Sequence, residues 1–515
     1  MTSQTATQLP IPPEPPVENF GLAMARFTLS AMRHAADPDP NGPRIVMYLT
    51  PWYRQAAAWF SISLGIAIAV RSVARVEFLI NDLPYPSIHP FELNEIAALD
   101  AFCGQFEAMF PSRRLSTFIA AGDPARAKLI DGVVDEAIRL DVRHRVGGGT
   151  LASLNADSFP LSARTPLTHI ALACDRFLAA EAPDVVFCPG GVANGTYVVR
   201  QLAEAHNVRF ASCDSGYENL YLAGHSIAGH LNENAETYNH ILALPPDIGG
   251  AGRARGFAIL DTKLQKAAAN PAALPQCDLL LPLGYDWDTV ALGIGSLYPT
   301  QTEWLHDTVR HVARAHPHVH MVVRQHPYED VFPSPENISA IGELERQRIS
   351  NLHIMRAAER VPVYGLLRNA TACVACQSTT VLEARMLGIP AVSMRDTYYV
   401  AAGAVARPET KEAYFAWLDA QLSGRRDVIA QTARDAAALD YFVLESCMMD
   451  VTRFTPHASD LWTWLHNDPT ADLRSEVVAD MVRCIVADIP ISTVKARRAL
   501  GLPALPEGIP DPIAA

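Results

Sequence analysis

The sequence predicts an α/β protein in which two Rossmann-like, doubly wound domains face a cleft and a helical segment completes the chain. Three observations support this prediction. The 515 residues suffice for two large domains. Strand–helix–strand units with continuously apolar strands occur between residues 44 and 215, and they restart after residue 277. Between the two series lies 246–276, whose ends are rich in proline, glycine and alanine.

Composition and charge exclude some classes of function. With 49% hydrophobic and 19% charged residues, the chain has the composition of a globular protein with substantial cores. A net charge of −13 argues against a general nucleic-acid binder, which needs a basic surface. A small anionic ligand remains compatible with this charge, because a local pocket can be positive in an acidic protein.

The segment 1–43 is predicted to be a flexible arm, because its beginning is rich in proline and lacks the basic start and apolar core of a signal peptide. The apolar run 56–70 is shorter than the ~20 residues that span a bilayer, so we expect a buried helix there.

The nine cysteines show no disulfide framework. The pair Cys373 and Cys376 is interpreted as buried thiols, with redox or metal chemistry as the alternative. We therefore expect a cytoplasmic protein.

The first domain is predicted over 44–250. Residues 90–145 are expected to be helical, and their arginines to form a solvated face, with a surface for an anionic acceptor or membrane headgroups as the alternative. The predicted strands "DVVFCPG" and "VRFASCDSG" both end in small and polar residues. Ligands of open α/β sheets bind at the carboxyl ends of the strands. The candidate cleft residues of this domain are therefore Asn194, Asp214, Ser215 and Glu218.

An interdomain crossover is predicted over 251–276, a second Rossmann-like domain over 277–425, and a helical segment with a tail over 426–515. The strand "MVVRQHP" in the second domain ends in His326, which can donate a hydrogen bond to a phosphate oxygen or carry a positive charge. Pro327 cannot continue the strand ladder and fixes the turn that directs the imidazole.

A second strand end of this domain carries hydroxyl groups. The strand "TACVACQ" is followed by Ser and Thr residues at a predicted helix start, where free N–H groups attract anions. Glu383, one turn further on, can accept hydrogen bonds from ribose hydroxyls. A plain capping box is the alternative, but the neighbouring "RQHP" favours a ligand site. The predicted nucleotide-binding residues are Arg324, His326, Pro327, Gln377, Ser378, Thr379, Thr380 and Glu383.

No metal site is predicted. His311, His316, His318 and His320 share one stretch, but no carboxylate or ligand spacing accompanies them, and the His316–Pro317 pair is expected to be a surface turn. The "DWD" that begins at Asp286 has the letters of a metal-binding motif, yet it is expected to line the cleft without a metal.

The stretch "RQHPYED" and the later "CQSTTVLEARMLGIPAV" resemble the GT-B-type glycosyltransferases of bacterial capsule and surface-polysaccharide biosynthesis, whose best-known members transfer Kdo or sialic acid from CMP-sugars. The resemblance extends over 180–420. It implies a GT-B-like fold, metal-independent transfer and no cofactor beyond a nucleotide-sugar donor, CMP-linked in those members. It also implies a glycan or glycolipid acceptor, which would draw the protein to the inner face of the membrane.

By this resemblance, His326 contacts the nucleotide phosphate, the Ser378 and Thr379 hydroxyls lie at the helix tip, and Glu383 lies near the ribose. Asp214 stands near the acidic position that family members use as acceptor base or catalytic carboxylate, although this chain has Asp-Ser-Gly where Glu-x-Gly is more typical. The alternatives for the acceptor base are Glu218 and Asp286.

Two other classes of function fit the same residues. One is a different enzyme on the same fold, either a sugar-nucleotide 2-epimerase or a polyol-phosphate transferase. The other is a non-enzymatic factor in polysaccharide assembly that keeps a nucleotide pocket without an acceptor base.

Overall fold

A computed structural model describes residues 17–35, 37–51, 56–85, 93–120, 123–147, 159–215, 219–268, 274–285, 288, 291–330, 333–359, 361–424, 428–449, 454–467 and 469–513. The strands in these ranges are β1 Arg44–Leu49, β2 Arg75–Ile80, β3 Ser112–Arg114, β4 Val185–Pro189, β5 Arg209–Ser215, β6 Leu220–Ala223, β7 Leu279–Pro282, β8 Met321–Arg324, β9 Leu352–Met355, β10 Ala372–Ala375 and β11 Ala391–Ser393. The first helices are α1 Val17–Ala31, α2 Ala57–Arg71, α3 Leu93–Gln105, α4 Ala127–Gly147, α5 Phe159–Glu181, α6 Asn194–Ala205, α7 Glu233–Leu242, α8 Pro246–Ala268, α9 Gln301–Ala315 and α10 Pro335–Gln347. The remaining helices are α11 Val363–Leu367, α12 Thr380–Met386, α13 Tyr398–Ala401, α14 Lys411–Leu422, α15 Gln431–Cys447, α16 Ala458–His466, α17 Pro469–Asp472, α18 Glu476–Ala487 and α19 Ile491–Ala499.

The first sheet has the strand order β3-β2-β1-β4-β5-β6. Its pairs are parallel except for β5 and β6, which are antiparallel. Separate apolar clusters cover its two faces, and α2 is buried over most of its length in one of them. The apolar run 56–70 is thus a buried helix, as predicted, because both the sheet and further helices surround it.

The second sheet is entirely parallel, with the strand order β11-β10-β7-β8-β9. It too has an apolar cluster on each face. Two α/β sheets covered on both faces confirm the predicted fold class of two Rossmann-like domains.

The prediction of a flexible arm over 1–43 is wrong for the part that the structure describes. Phe20, Met24 and Phe27 of α1 are buried in the core of the first domain. These apolar residues recur at the spacing of one helix face, and Phe27 lies edge-on to Trp464 with ring centroids 5.0 Å apart. Residues 1–16 lie outside the described residues.

The predicted crossover over 251–276 consists largely of α8, which is continuous from residue 246 to residue 268 and packs against α15. The C-terminal segment is helical, as predicted, and it returns to the first domain, where Trp464 and Met481 join the core. None of the helices among the described residues is long and apolar enough to cross a membrane.

The prediction that 90–145 is entirely helical missed β3, which extends the first sheet beyond β2. A strand of three residues is too short to show an alternating pattern. The arginines of this region behave as a solvated face, since Arg114 pairs with Asp100 and Arg139 with Glu136 at the surface.

A candidate active site between the two sheets

A cavity of about 780 Å³ lies between the carboxyl ends of the two sheets. The first sheet contributes the ends of β4 and β5, and the second contributes the ends of β7, β8 and β10. α8 and α15 supply a further wall. The predicted residues Asn194, Asp214, Ser215, His326, Gln377, Ser378 and Thr379 line this cavity.

The turn after β4 forms the wall of the cavity beside Asn194. Gly191 has φ +102°, and a Cβ there would lie 2.8 Å from the Phe210 ring, so only glycine fits. The Thr196 hydroxyl accepts a hydrogen bond from the Gly191 N–H and donates one to the carbonyl of Ala193. Asn194 adopts φ +53°, and its side-chain oxygen accepts from the Thr196 N–H. The turn therefore holds its backbone in a fixed shape at the edge of the cavity.

Carboxylates from both domains reach the cavity. Asp214 is the last residue but one of β5 and accepts a hydrogen bond from the Ser215 N–H, and Asp288 follows the end of β7. Burial is the main cause of the raised pKa of Tyr221, and nearby charges, including those of Asp214 and Asp288, raise it further. Both carboxylates therefore lie near this tyrosine. The alternative acids Glu218 and Asp286 lie outside the described residues.

His326 lines the cavity just after the end of β8. Its Nδ1 accepts from the Tyr328 N–H at 3.3 Å, which assigns the ring proton to Nε2. Burial, and secondarily the charge of Arg324, lowers the pKa of His326 to about 4. Desolvation disfavours the imidazolium in this structure, and a positive charge on His326 beside a bound phosphate stays a prediction. The Tyr285 ring lies against the imidazole, with centroids 4.9 Å apart.

Gln377, which follows β10, is held by hydrogen bonds to two other segments. The side-chain nitrogen of Gln377 donates to the carbonyl of Tyr285 at 2.5 Å, and its oxygen accepts from the buried Arg395. Gln377 thereby connects the ends of β10 and β7, and these bonds occupy its amide.

The hydroxyl groups follow directly after Gln377. Ser378 Oγ accepts from the Thr380 N–H at 3.3 Å, while the Ser378 N–H donates to the Tyr399 hydroxyl. Thr379 is exposed to the cavity, but Thr380 is buried and does not line it. α12 has only seven residues, so the helix dipole at this position is short.

Two predicted residues lie behind the cavity wall. Glu383 is 4% exposed, and its Oε1 accepts from the hydroxyls of Tyr364 at 2.9 Å and Tyr441 at 2.8 Å. Burial raises the pKa of Glu383. Arg324 donates to the carbonyl of Val361. Neither Glu383 nor Arg324 lines the cavity, and a direct contact of Glu383 with a ribose stays a prediction.

Sequence reasoning missed the wall formed by α8 and α15. Lys263 of α8 donates to the Tyr441 hydroxyl and, at 2.9 Å, to Glu445, and all three residues line the cavity. Lys263 is the one lysine or arginine among the described residues that line it. No sequence motif marks these residues, because they meet only through the packing of two helices far apart in the chain.

The prediction of buried thiols is confirmed, since Cys373, Cys376 and the other seven cysteines are all buried and none of the nine forms a disulfide. The reading of His316–Pro317 as a surface turn is wrong for the histidine, which is buried. The statement that no carboxylate accompanies these histidines is also wrong. Asp419 of α14 accepts hydrogen bonds from the Nε2 atoms of His311 and His316.

No family model matches the chain, and no curated protein matches it. Among solved structures, the chain is similar to a β-Kdo 2,4 transferase, KpsC of Thermosulfurimonas dismutans, with 13% identity and a TM-score of 0.33 over 50% of this chain and 79% of that one. It is also similar to the UDP-GlcNAc 2-epimerase of Neisseria meningitidis bound to UDP-GlcNAc, with 12% identity and a TM-score of 0.29 over 78% of this chain and 98% of that one. A third similarity is to the UDP-N-acetylglucosamine 2-epimerase of Rickettsia bellii, with 12% identity and a TM-score of 0.27 over 79% and 97% of the two chains.

Proposed function

We propose that the chain is a glycosyltransferase that moves a Kdo-like or sialic-acid-like sugar from a CMP-linked donor to a bacterial surface glycan or glycolipid. The observation that carries this proposal is one cavity lined by His326 and Ser378 of the second domain and by Asp214 of the first. Transfer needs both halves, because the leaving phosphate must be stabilised and the acceptor hydroxyl must lose a proton. The cytoplasmic face of the inner membrane is the place we propose for this reaction.

The donor half would act through fixed hydrogen-bond donors. Negative charge grows on the leaving phosphate as the bond to the sugar breaks, and preorganised donors stabilise that charge. The His326 Nε2–H and the hydroxyls of Ser378 and Thr379 are the groups we propose for this role. Lys263 lines the same cavity and is the cation we propose there, beside its carboxylate partner Glu445.

The acceptor half would act through Asp214. Its carboxylate stands at the end of β5, opposite the donor groups, and it is the base we propose for the acceptor hydroxyl. In a retaining reaction the same carboxylate would attack the sugar. Asp288 is a second carboxylate at the cavity, and we propose that it helps to hold the acceptor or the sugar.

Glu383 would contribute indirectly. Its hydrogen bond from Tyr441 orients a hydroxyl that does line the cavity. We therefore propose Tyr441, rather than Glu383 itself, as the group that meets the nucleoside, with Glu383 as its positioning residue.

Nucleotide binding tests the proposal directly. Calorimetry with CMP, CDP, UMP, UDP and GDP should show binding of CMP, and His326→Ala should weaken it at least tenfold, roughly 1.4 kcal/mol. His353→Ala is the matched control, because His353 is exposed on β9 and does not line the cavity. A preference for UDP or GDP would mean that the donor sugar is linked to that nucleotide instead of CMP. If the folded protein bound none of these nucleotides, the proposed nucleotide site would be refuted.

A 2-epimerase is the second candidate, because carboxylates from both domains at one cavity also suit proton removal from a sugar carbon. The two functions differ in their need for an acceptor. NMR of UDP-GlcNAc or a CMP-sugar incubated with the enzyme alone would reveal a change of configuration at the sugar ring only for an epimerase.

A further inference from the structure

We propose that His311, His316 and Asp419 form a binding site for a divalent transition-metal ion of the zinc type. His311 and His316 come from the end of α9, and Asp419 comes from α14. The two Nε2 atoms lie 2.6 and 2.7 Å from the same oxygen, Asp419 Oδ1. All three donor atoms lie within 4.8 Å of one another.

The donor set selects the class of metal. Two imidazole nitrogens and one carboxylate oxygen match zinc, which binds such atoms at about 2.0–2.2 Å in tetrahedral geometry. Mg²⁺ and Ca²⁺ prefer oxygen ligands alone. Tetrahedral ligands at these lengths are about 3.3 Å apart, so Asp419 would retreat from each nitrogen by roughly 0.6 Å.

The surroundings permit that adjustment. The Asp419 side chain is 43% exposed and can move, and its exposure leaves room for a water molecule as the fourth ligand. Both histidines are held more firmly, because His316 is buried and the His311 ring lies 4.4 Å from that of Phe415.

The site lies apart from the cavity, since none of its three residues lines it. The ion would link the C-terminal end of α9 to α14 beyond the contacts these helices already make, such as the hydrogen bond between Thr308 and Tyr414. We therefore assign it a structural role that does not depend on the proposed transfer reaction.

Calorimetric titration of the chelator-treated full chain with ZnCl₂ tests the site. We expect one zinc per chain for the wild type, and no binding of Mg²⁺ under the same conditions. His311→Ala and Asp419→Asn should each weaken zinc binding at least tenfold. The matched control is His320→Ala, because His320 faces a single carboxylate, Asp278, at 3.1 Å and should not change the affinity.

Thermal melting provides a second measurement. Zinc should raise the melting temperature of the wild type and of His320→Ala, but not that of His311→Ala or Asp419→Asn. Both altered side chains of the site are partly exposed, so the variants should fold. Binding through thiols is not expected to interfere, because all nine cysteines are buried. The proposal would be overturned if the wild type did not bind zinc, or if both site variants bound zinc as tightly as the wild type.

Discussion

The crossing of α8 and α15 depends on Gly256. A Cβ added at Gly256 would lie 1.9 Å from the carbonyl oxygen of Ala438, whereas real Cβ atoms essentially never approach within 3.0 Å. Because the obstacle is the backbone of α15, no side-chain rotation relieves the overlap. Gly256→Ala therefore requires the two helices to separate by about 1 Å.

The expected cost follows from two opposing effects. Overpacking of this kind costs about 1–3 kcal/mol or more. Alanine recovers about 1 kcal/mol through its higher helix propensity. Since the contact is far below the normal limit, we expect the overlap to dominate and Gly256→Ala to destabilise the protein by about 1–2 kcal/mol. The same displacement would move Lys263 away from Tyr441, so nucleotide affinity should fall as well.

Urea denaturation followed by circular dichroism measures this effect. Gly250→Ala is the matched control on the same helix, because the nearest atom to its added Cβ is a guanidinium nitrogen of Arg253 at 3.6 Å. The control should be stabilised by about 0.5–1 kcal/mol. If Gly256→Ala unfolded at the same or a higher urea concentration than Gly250→Ala, the argument from the close approach would be refuted.

Two further predictions concern single titratable groups. Asp214→Asn should lower the transfer rate by about 100-fold or more and leave nucleotide affinity unchanged in calorimetry, and normal transfer would exclude Asp214 as the base. Hydrogen bonds to Asp488 and Glu236 raise the pKa of His225 from 6.5 to about 10, so its contribution to stability is complete below pH 6.5 and is lost as the pH rises through about 10. The free energy of unfolding should therefore fall more steeply between pH 7 and pH 10 in the wild type than in His225→Gln, and equal slopes would contradict this role.

The sheets were predictable because their central strands are continuously apolar and each is followed by a turn and a helix. The prediction from sequence patterns failed where a segment was very short, or where the adjacent residues were typical of a different structure. β3 has too few residues to show a period, and the prolines before α1 concealed the apolar face of that helix. The glycines of α8 are typical of loops, but here they allow close helix packing.

His326 and Glu383 show why only part of the site could be predicted. His326 follows a parallel strand, and the topology alone directs every such strand end of a sheet toward the same edge. The environment of Glu383 depends in addition on which element packs on α12. The sequence gives no sign that this element is α15, whose Tyr441 donates a hydrogen bond to Glu383. Asp419 illustrates the same dependence, since it meets His311 across 108 residues of chain. Local patterns therefore identify the groups that strands present, whereas partners supplied by distant helices require the packed structure.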